Sequence, residues 1–328
     1  MKTLKHIEVV RSHIKGLSSM SVESAEAIVS SLSNDYSDVI LTAIDTLDDL
    51  QALIARKPDL VFLGMMHLPH PDQPGVKVWM SQWLENASIA HTGSTHYSHR
   101  LELNKDLAKQ HMIEAGIATA PFRLVHLDQP APIVEVELPF PLFVKPLRGG
   151  GGQGVDEYSI VRTPKQLADK IRRLQRRHSA DVMIEQYLEG REFSVAVIDH
   201  EEFGGLVAMP IELIAPKDSN GERMLSSSVK SLNQEQAIAV TDPEERTTLM
   251  TFALDVFRTL GARDYGRIDI RMDSFGVPHF LEANLIPSLI SGYGSFPKAY
   301  KLNYDVEYSE MIARIATLGL GRTHPHTI

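Results

Sequence analysis

The sequence predicts an α/β protein that turns α+β in its C-terminal part. Three observations carry this. The first hundred residues alternate short apolar runs with segments of helical spacing, the pattern of a parallel sheet flanked by helices. Residues 141–161 place two strand-like runs around a glycine-rich tip, the pattern of a hairpin. Beyond residue 190, strand-like runs surround one long helical stretch. At 328 residues the chain is too long for one simple core, so two or three compact units are expected.

Taken in order, residues 7–10 are a short apolar run, and 21–32 predict a helix with Ser21 as its N-cap. A strand is expected over 39–44, a helix over 46–56 and a strand over 60–63. Helical spacing resumes at 76–84, and 89–91 reads as a short strand. One helix is expected over 97–115, stopping at Gly116. Pro121, Pro130, Pro132, Pro139 and Pro141 then punctuate short strands. Strands at 141–146 and 155–161 flank the glycine-rich loop 148–154. A helix follows Thr163 to about residue 177, with Pro164 in its first turn, where a missing N–H is harmless. Strands are expected at 182–187, 192–198, 206–214, 267–272 and 278–282, with helices at 243–260 and 308–318. Residues 216–236 are polar without a period; loops that long are functional or disordered. The expected units are 1–97, 98–187 and 188–328.

A net charge of -9 supplies no basic excess to neutralise phosphates, so general nucleic-acid binding is not expected. The basic run at 170–177 reads as the solvated face of a helix. With no cysteine, disulfides and thiolate chemistry are excluded. No signal-peptide pattern and no apolar stretch near the ~20 residues of a membrane span are present, which fits a cytoplasmic protein without membrane attachment.

Two constellations carry chemistry. In F-V-K-P-L-R-G-G-G-G-Q-G-V at 143–155, Lys145 ends a strand just before glycines that free backbone N–H groups to curl around an anion. It is neither a P-loop nor a dinucleotide fingerprint, and a merely flexible hairpin tip is the competing reading. In G-R-I-D-I-R-M-D at 266–273 and H-F-L-E-A-N-L-I-P at 279–287, Arg267 and Asp269 share one strand face, as do Glu282 and Asn284. Residues 273–276 supply the turn between them. If the strands pair, an arginine, two carboxylates and a carboxamide converge on an oxygen-rich spot suited to magnesium carrying ATP phosphates. The competing reading is an Arg267–carboxylate salt bridge with Asn284 capping a turn. Ile268, Ile270 and Leu281 would face the core. A third stretch, 183–195, could present backbone groups to an adenine edge, with Glu192 reaching ribose hydroxyls; exposed glutamates around a turn are the plainer reading. His67, His70 and His91 lack metal-ligand spacing, and His96 and His99, three apart at a helix start, are the one pair that could form a site. Trp79 and Trp83 read as core or interface on a helix.

The order of these landmarks, T-G-S-T at 92–95, N-K-D-L-A-K at 104–109, the glycine loop, G-R-I-D and L-E-A-N-x-x-P, resembles the ATP-grasp superfamily and within it the D-alanine–D-alanine ligase family. The resemblance spans about residues 89–287. It implies an ATP-grasp fold in which two sheet-containing units clamp ATP behind an N-terminal parallel-sheet domain. It implies that Lys105 and Lys145 contact phosphates and that Gly149, Gly150, Gly151, Gly152 and Gly154 close over them. Glu185, Gln186, Tyr187, Leu188 and Leu281 would hold adenine, with Glu192 on ribose. Asp269, Glu282 and Asn284 would hold Mg2+, or Mn2+. Arg267 would stabilise the transferred phosphoryl group. Lys230 is the best match to the family's mobile-loop lysine, and Ser288 stands where the family has glycine. The N-terminal serine–glutamate pattern around residues 16–26 and the stretch 64–70 also depart from the family. The implied activity is an ADP-forming ligase with an altered substrate site, joining amino-acid or small-peptide substrates, in a homodimer. A regulatory ATP-binding protein of the same fold is the alternative.

Overall fold

The computed structural model describes residues 2–127, 137–149, 152–218 and 221–322. Its first unit runs β1 (Thr3–Arg11), α1 (Val22–Leu32), β2 (Tyr36–Ala43), α2 (Leu47–Arg56) and β3 (Leu60–Leu63). The strands form a parallel sheet in the order β2-β1-β3, as the alternation predicts. Ser21 caps α1 by accepting from the Ser24 N–H, and Thr46 and Asp49 form a capping box on α2.

Next come β4 (His67–Pro69), β5 (Lys77–Trp79) and α3 (Met80–Asn86). This corrects the expected helix over 76–84. Val76, Met80 and Leu84 are spaced as on a helix, but β5 pairs antiparallel with β4, and the helix begins only at Met80. Trp79 therefore ends a strand and packs edge-on against His67, with ring centroids 5.5 Å apart. The expected strand at 89–91 reduces to a single parallel bridge, Val61 to His91.

The helix expected over 97–115 is two, α4 (His96–Leu103) and α5 (Lys105–Glu114). Asn104 breaks it with φ -118 and ψ 84. Its Nδ2 donates to the Arg100 carbonyl at 2.6 Å, competing with the helical ladder.

β6 (Phe122–Val125), β7 (Leu142–Pro146), β8 (Ile160–Val161), α6 (Pro164–His178) and β9 (Val182–Gln186) form the central unit. Its antiparallel sheet is ordered β6-β9-β7-β8. The β7–β8 hairpin exists, but its second strand is only two residues long; residues 155–159 of the expected strand are irregular or turn. Leu167, Ile171 and Leu174 of α6 cover Val144, Val182 and Ile184. Lys170, expected on a solvated face, is 2% exposed and donates to Asp156 Oδ1 at 2.7 Å and the Gly154 carbonyl at 3.0 Å.

The rest comprises β10 (Glu192–His200), β11 (Gly205–Ile214), α7 (Ser227–Ser231), β12 (Gln236–Ala239), α8 (Pro243–Thr259), β13 (Tyr265–Met272), β14 (Pro278–Asn284), α9 (Ser295–Tyr304) and α10 (Tyr308–Leu320). The stretch 216–236 thus holds a short helix, with β12 starting at its end. The five strands lie antiparallel in the order β12-β11-β10-β13-β14. One face packs Val195, Ile268 and Ile270 against Leu249, Val256 and Phe257 of α8. On the other, Ala196, Met209 and Ile211 pack with Phe296 and Tyr300 of α9, while α10 returns to α1 and β3. The uncovered remainder of that face is the floor of the site. Among the described residues no helix is long and apolar enough to cross a membrane.

Candidate active site

The floor is the β13–β14 pair. Arg267 lies opposite Asn284 and Asp269 opposite Glu282, so the four side chains gather as their alternation foretold. A register shift follows Asp269: Ile270 pairs with Phe280, leaving Leu281 as the extra residue of a bulge. This corrects the core reading of Leu281. It is half-buried and lines the cleft, while Ile268 and Ile270 stay in the core.

Arg267 grips Asp269 in a fork, Nε to Oδ1 at 2.9 Å and an Nη to Oδ2 at 2.8 Å. The Ser194 hydroxyl donates to Asp269 Oδ1 at 2.9 Å, and Asn284 Nδ2 approaches Oδ2 at 3.4 Å. The salt bridge of the competing reading therefore forms, within the predicted cluster. Burial opposes the Arg267 charge, but Asp269, Glu282 and Glu102 together hold the guanidinium above its ordinary pKa. Burial also opposes ionisation of Glu282, yet Lys230, Lys105, Lys145 and Arg267 keep its carboxyl below the usual range.

Above the floor lies a cleft of about 870 Å³. Lys105, Lys145, Gly149, Gly152, Glu185, Gln186, Tyr187, Leu188, Glu192, Lys230, Asp269, Leu281 and Glu282 all line it. Gly154 lies just behind; Gly150 and Gly151, like Pro130 and Pro132, are outside the described residues. The Lys105 ammonium donates to the Gly149 carbonyl. Gly152, at φ +76, lies so close to α7 that an added Cβ would stand 2.9 Å from the Ser227 nitrogen.

Glu185 lines the cleft, but its carboxylate is committed: Lys109 reaches one oxygen at 2.7 Å and Lys145 the other at 2.6 Å. Burial alone would raise its pKa; the two ammonium groups bring it down to about 2. Lys109, fully buried, also donates to Thr119 Oγ1 and is itself pushed down by burial. Glu192 meets Arg271 at 3.0 Å. Arg271 further donates to the Leu188 carbonyl at 2.7 Å and to the Tyr187 hydroxyl at 2.9 Å, lashing the β9–β10 connector to β13. Sequence reasoning gave no role to Lys109 and Arg271, whose partners Glu185 and Tyr187 lie far off in the chain.

Asn284 and Ser288 line a second, adjoining cavity of about 1980 Å³. It shares Lys105, Lys230, Asp269 and Glu282 with the first and extends to Ser18, Met65, His67 and Tyr293. Among the described residues no group of three or more His, Asp or Glu could hold a metal by itself, His96 and His99 included. Two carboxylates and a carboxamide could hold an ion that keeps waters and takes phosphate oxygens.

Gly154→Ala tests the loop's anchorage. Gly154 has φ +74, and an added Cβ would meet Pro146 Cγ at 2.5 Å. A loss of about 2 kcal/mol in denaturant unfolding, with weaker nucleotide binding, is expected.

Two sheets facing each other across a cleft, with a glycine loop over it and paired carboxylates beneath, define an ATP-grasp protein. The chain belongs to the D-Ala-D-Ala ligase family: residues 112–317 match the family model described as D-ala D-ala ligase C-terminus. It is accordingly an ADP-forming ATP-grasp ligase, of a class that makes an amide bond with ATP. The D-alanine–D-alanine ligase of Pelobacter propionicus is 25% identical over 283 residues, 83% of each chain. The Bacillus anthracis D-alanine–D-alanine ligase complexed with ATP superposes with a TM-score of 0.76 at 20% identity, covering 97% of this chain and 98% of that one. The VanG D-Ala:D-Ser ligase of Enterococcus faecalis gives 0.70 at 20% identity, over 96% and 99%.

Proposed function

We propose that this enzyme phosphorylates the carboxylate of an amino-acid-like substrate with ATP and couples the acylphosphate to an amine, at a substrate site rewritten from the family pattern. The observation that carries the reading is the Arg267/Asn284 and Asp269/Glu282 register beneath a cleft ringed by Lys105, Lys145 and Lys230. Phosphoryl transfer needs positioning and charge neutralisation more than covalent help, and these residues offer both. Lys105, Lys145 and Lys230 face the phosphates; Gly149, Gly152 and Gly154 cover them. Gln186, Tyr187, Leu188 and Leu281 enclose adenine, and Glu192 meets the ribose. Glu185 aims Lys145.

Asp269, Glu282 and Asn284 would hold magnesium, or manganese, which neutralises phosphate charge when bound. Arg267 faces the transferred phosphoryl group and the tetrahedral oxyanion that follows. Gly152, seated against α7, helps to exclude water that would hydrolyse the acylphosphate. Ser288, in the second cavity, faces the amino-acid substrates, and its replacement of the family glycine supports a product other than D-alanyl-D-alanine. The family resemblance further supports a cytoplasmic homodimer, and the sheet boundaries support units 1–97, 98–187 and 188–328.

Phosphate release with ATP, magnesium and paired L- and D-amino acids should rise for particular pairs, with amide products identified by mass. ADP formation that no carboxylate–amine pair stimulates would favour the regulatory alternative.

A further inference from the structure

One arginine at the far end of the first cavity gathers three separate segments, and the proposed chemistry gives it no task. Arg271 follows Arg267 and Asp269 on the same face of β13, about 7 Å beyond Asp269 along the strand. It lines the cleft beside Glu192, its partner across the β10–β13 ladder. Its side chain is only 12% exposed, yet every nitrogen of the guanidinium donates. Nε holds the Leu188 carbonyl at 2.7 Å, and Nη1 meets Glu192 Oε2 at 3.0 Å. Nη2 serves the Tyr187 hydroxyl at 2.9 Å and the Arg223 carbonyl at 3.3 Å. The guanidinium also lies over the Tyr187 ring, 5.0 Å from its centroid. The Tyr187 hydroxyl in turn donates to Glu222 Oε2 at 3.1 Å.

For Glu192 the consequence is specific. Arg271 takes one carboxylate oxygen; among the described residues the other, Oε1, accepts no hydrogen bond, and the side chain borders the cleft. Burial raises the Glu192 pKa, and the Arg271 charge is the chief influence against it. A carboxylate kept ionised and pinned by one oxygen offers the other at a fixed place, as a strong charged acceptor. The vicinal hydroxyls of a ribose are donors for such an oxygen, and a deoxyribose lacks one of them. The same guanidinium fixes Tyr187 and Leu188 on the β9–β10 connector, so one side chain sets the distance between the base-binding connector and the acid.

We propose that Arg271 is a positioning residue for nucleotide: by holding Glu192 through one oxygen and leaving the other to the sugar, it sets a preference for ribonucleotide over deoxyribonucleotide. This rests on the placement of Glu192 at the ribose, which Glu192→Gln tests separately.

Calorimetry in magnesium buffer titrates wild type, Arg271→Met, Arg271→Lys and Glu192→Gln with ADP, 2′-deoxy-ADP, 3′-deoxy-ADP and inorganic tripolyphosphate. Wild type should bind ADP on the order of 30-fold tighter than at least one deoxy form, the usual effect of a hydrogen bond to a charged group. Arg271→Met keeps an unbranched side chain over Tyr187 but no donor. There ADP affinity should fall about tenfold and the discrimination to about threefold, with the deoxy forms little changed. Tripolyphosphate has neither sugar nor base; its unchanged affinity certifies the fold. Arg271→Lys, with the charge but not the fork, should discriminate to an intermediate degree. Glu192→Gln should lose the discrimination as well. Discrimination lost in Glu192→Gln but kept in Arg271→Met would overturn the role of Arg271 and leave Glu192 on the ribose. Discrimination kept in Glu192→Gln, or absent from the wild type, would remove Glu192 from the ribose and the proposal with it. Equal weakening of all the ligands, tripolyphosphate included, in Arg271→Met would reduce Arg271 to a structural clamp. Should Arg271→Met not fold, wild-type discrimination in Arg271→Lys would overturn the proposal in its place.

Discussion

Glu282→Gln should lower turnover on the order of 10³-fold, while the fold survives and nucleotide still binds. The carboxylate stands across the ladder from Asp269 and is held ionised by Lys230, Lys105, Lys145 and Arg267 against the cost of burial. Glutamine keeps the volume and the backbone pairing of β14 but removes the charge. An ion bound there as proposed would lose a ligand, and Lys230, Lys105, Lys145 and Arg267 would lose their buried counter-charge. Several kcal/mol of transition-state stabilisation would go, as the rate factor expresses. Single-turnover phosphate release and a thermal melt check both halves. A fully active variant would remove Glu282 from the magnesium set.

Lys109→Ala should destabilise the protein by roughly 3–5 kcal/mol, the usual result of breaking a buried ion pair from one side. Lys109 is buried beneath the cleft, where it holds Glu185 at 2.7 Å and bonds to Thr119. Loss of its ammonium leaves Glu185 to Lys145 alone and draws Lys145 inward; if Lys145 meets phosphate as proposed, the nucleotide KM should rise. The acid response identifies the cause. In the wild type, folded Glu185 has its pKa at about 2 against an ordinary 4.5. As pH falls, the unfolded chain takes up this proton first. The stabilisation is therefore complete above the ordinary value and drains away as pH drops towards the folded one. With one ammonium gone the folded pKa rises and that acid loss shrinks. Urea midpoints at neutral pH and at about pH 3 should differ less for Lys109→Ala than for wild type. Unchanged midpoints at both would show that the three charges stabilise nothing.

What could be read in advance followed from short-range rules. Ser21 announces its helix by capping chemistry and accepts the Ser24 N–H, and Thr46 and Thr163 cap their helices in the same way. The alternation at 267–269 and 282–284, with a turn between, fixed which side chains would meet, because strand periodicity leaves one choice of face. The bulge at Leu281 was hidden, since a one-residue offset is decided by the partner strand. Val76 and Trp79 misled because a three-residue strand is too short to show alternation, and their neighbours happen to fit a helix. The break at Asn104 arises from one side-chain bond to Arg100. Lys109 and Glu185 are 76 positions apart in the numbering, and Arg271 and Tyr187 are 84 apart. No local pattern pairs residues at such range; only the assembled sheets do.

The wall common to the two cavities has a consequence for how the enzyme fills. Lys105, Lys230, Asp269 and Glu282 face both chambers, so an occupant of either changes the charge presented to the other. Polyphosphate on one side consumes the attraction that the lysines would otherwise exert on a carboxylate, and an ion on the acids reverses their repulsion. If nucleotide and amino acid take the two chambers as proposed, they will not bind independently. Whatever factor nucleotide applies to the dissociation constant of the amino acid, the amino acid must return to nucleotide, and a thermodynamic cycle closed by calorimetry would give that factor a sign and a size.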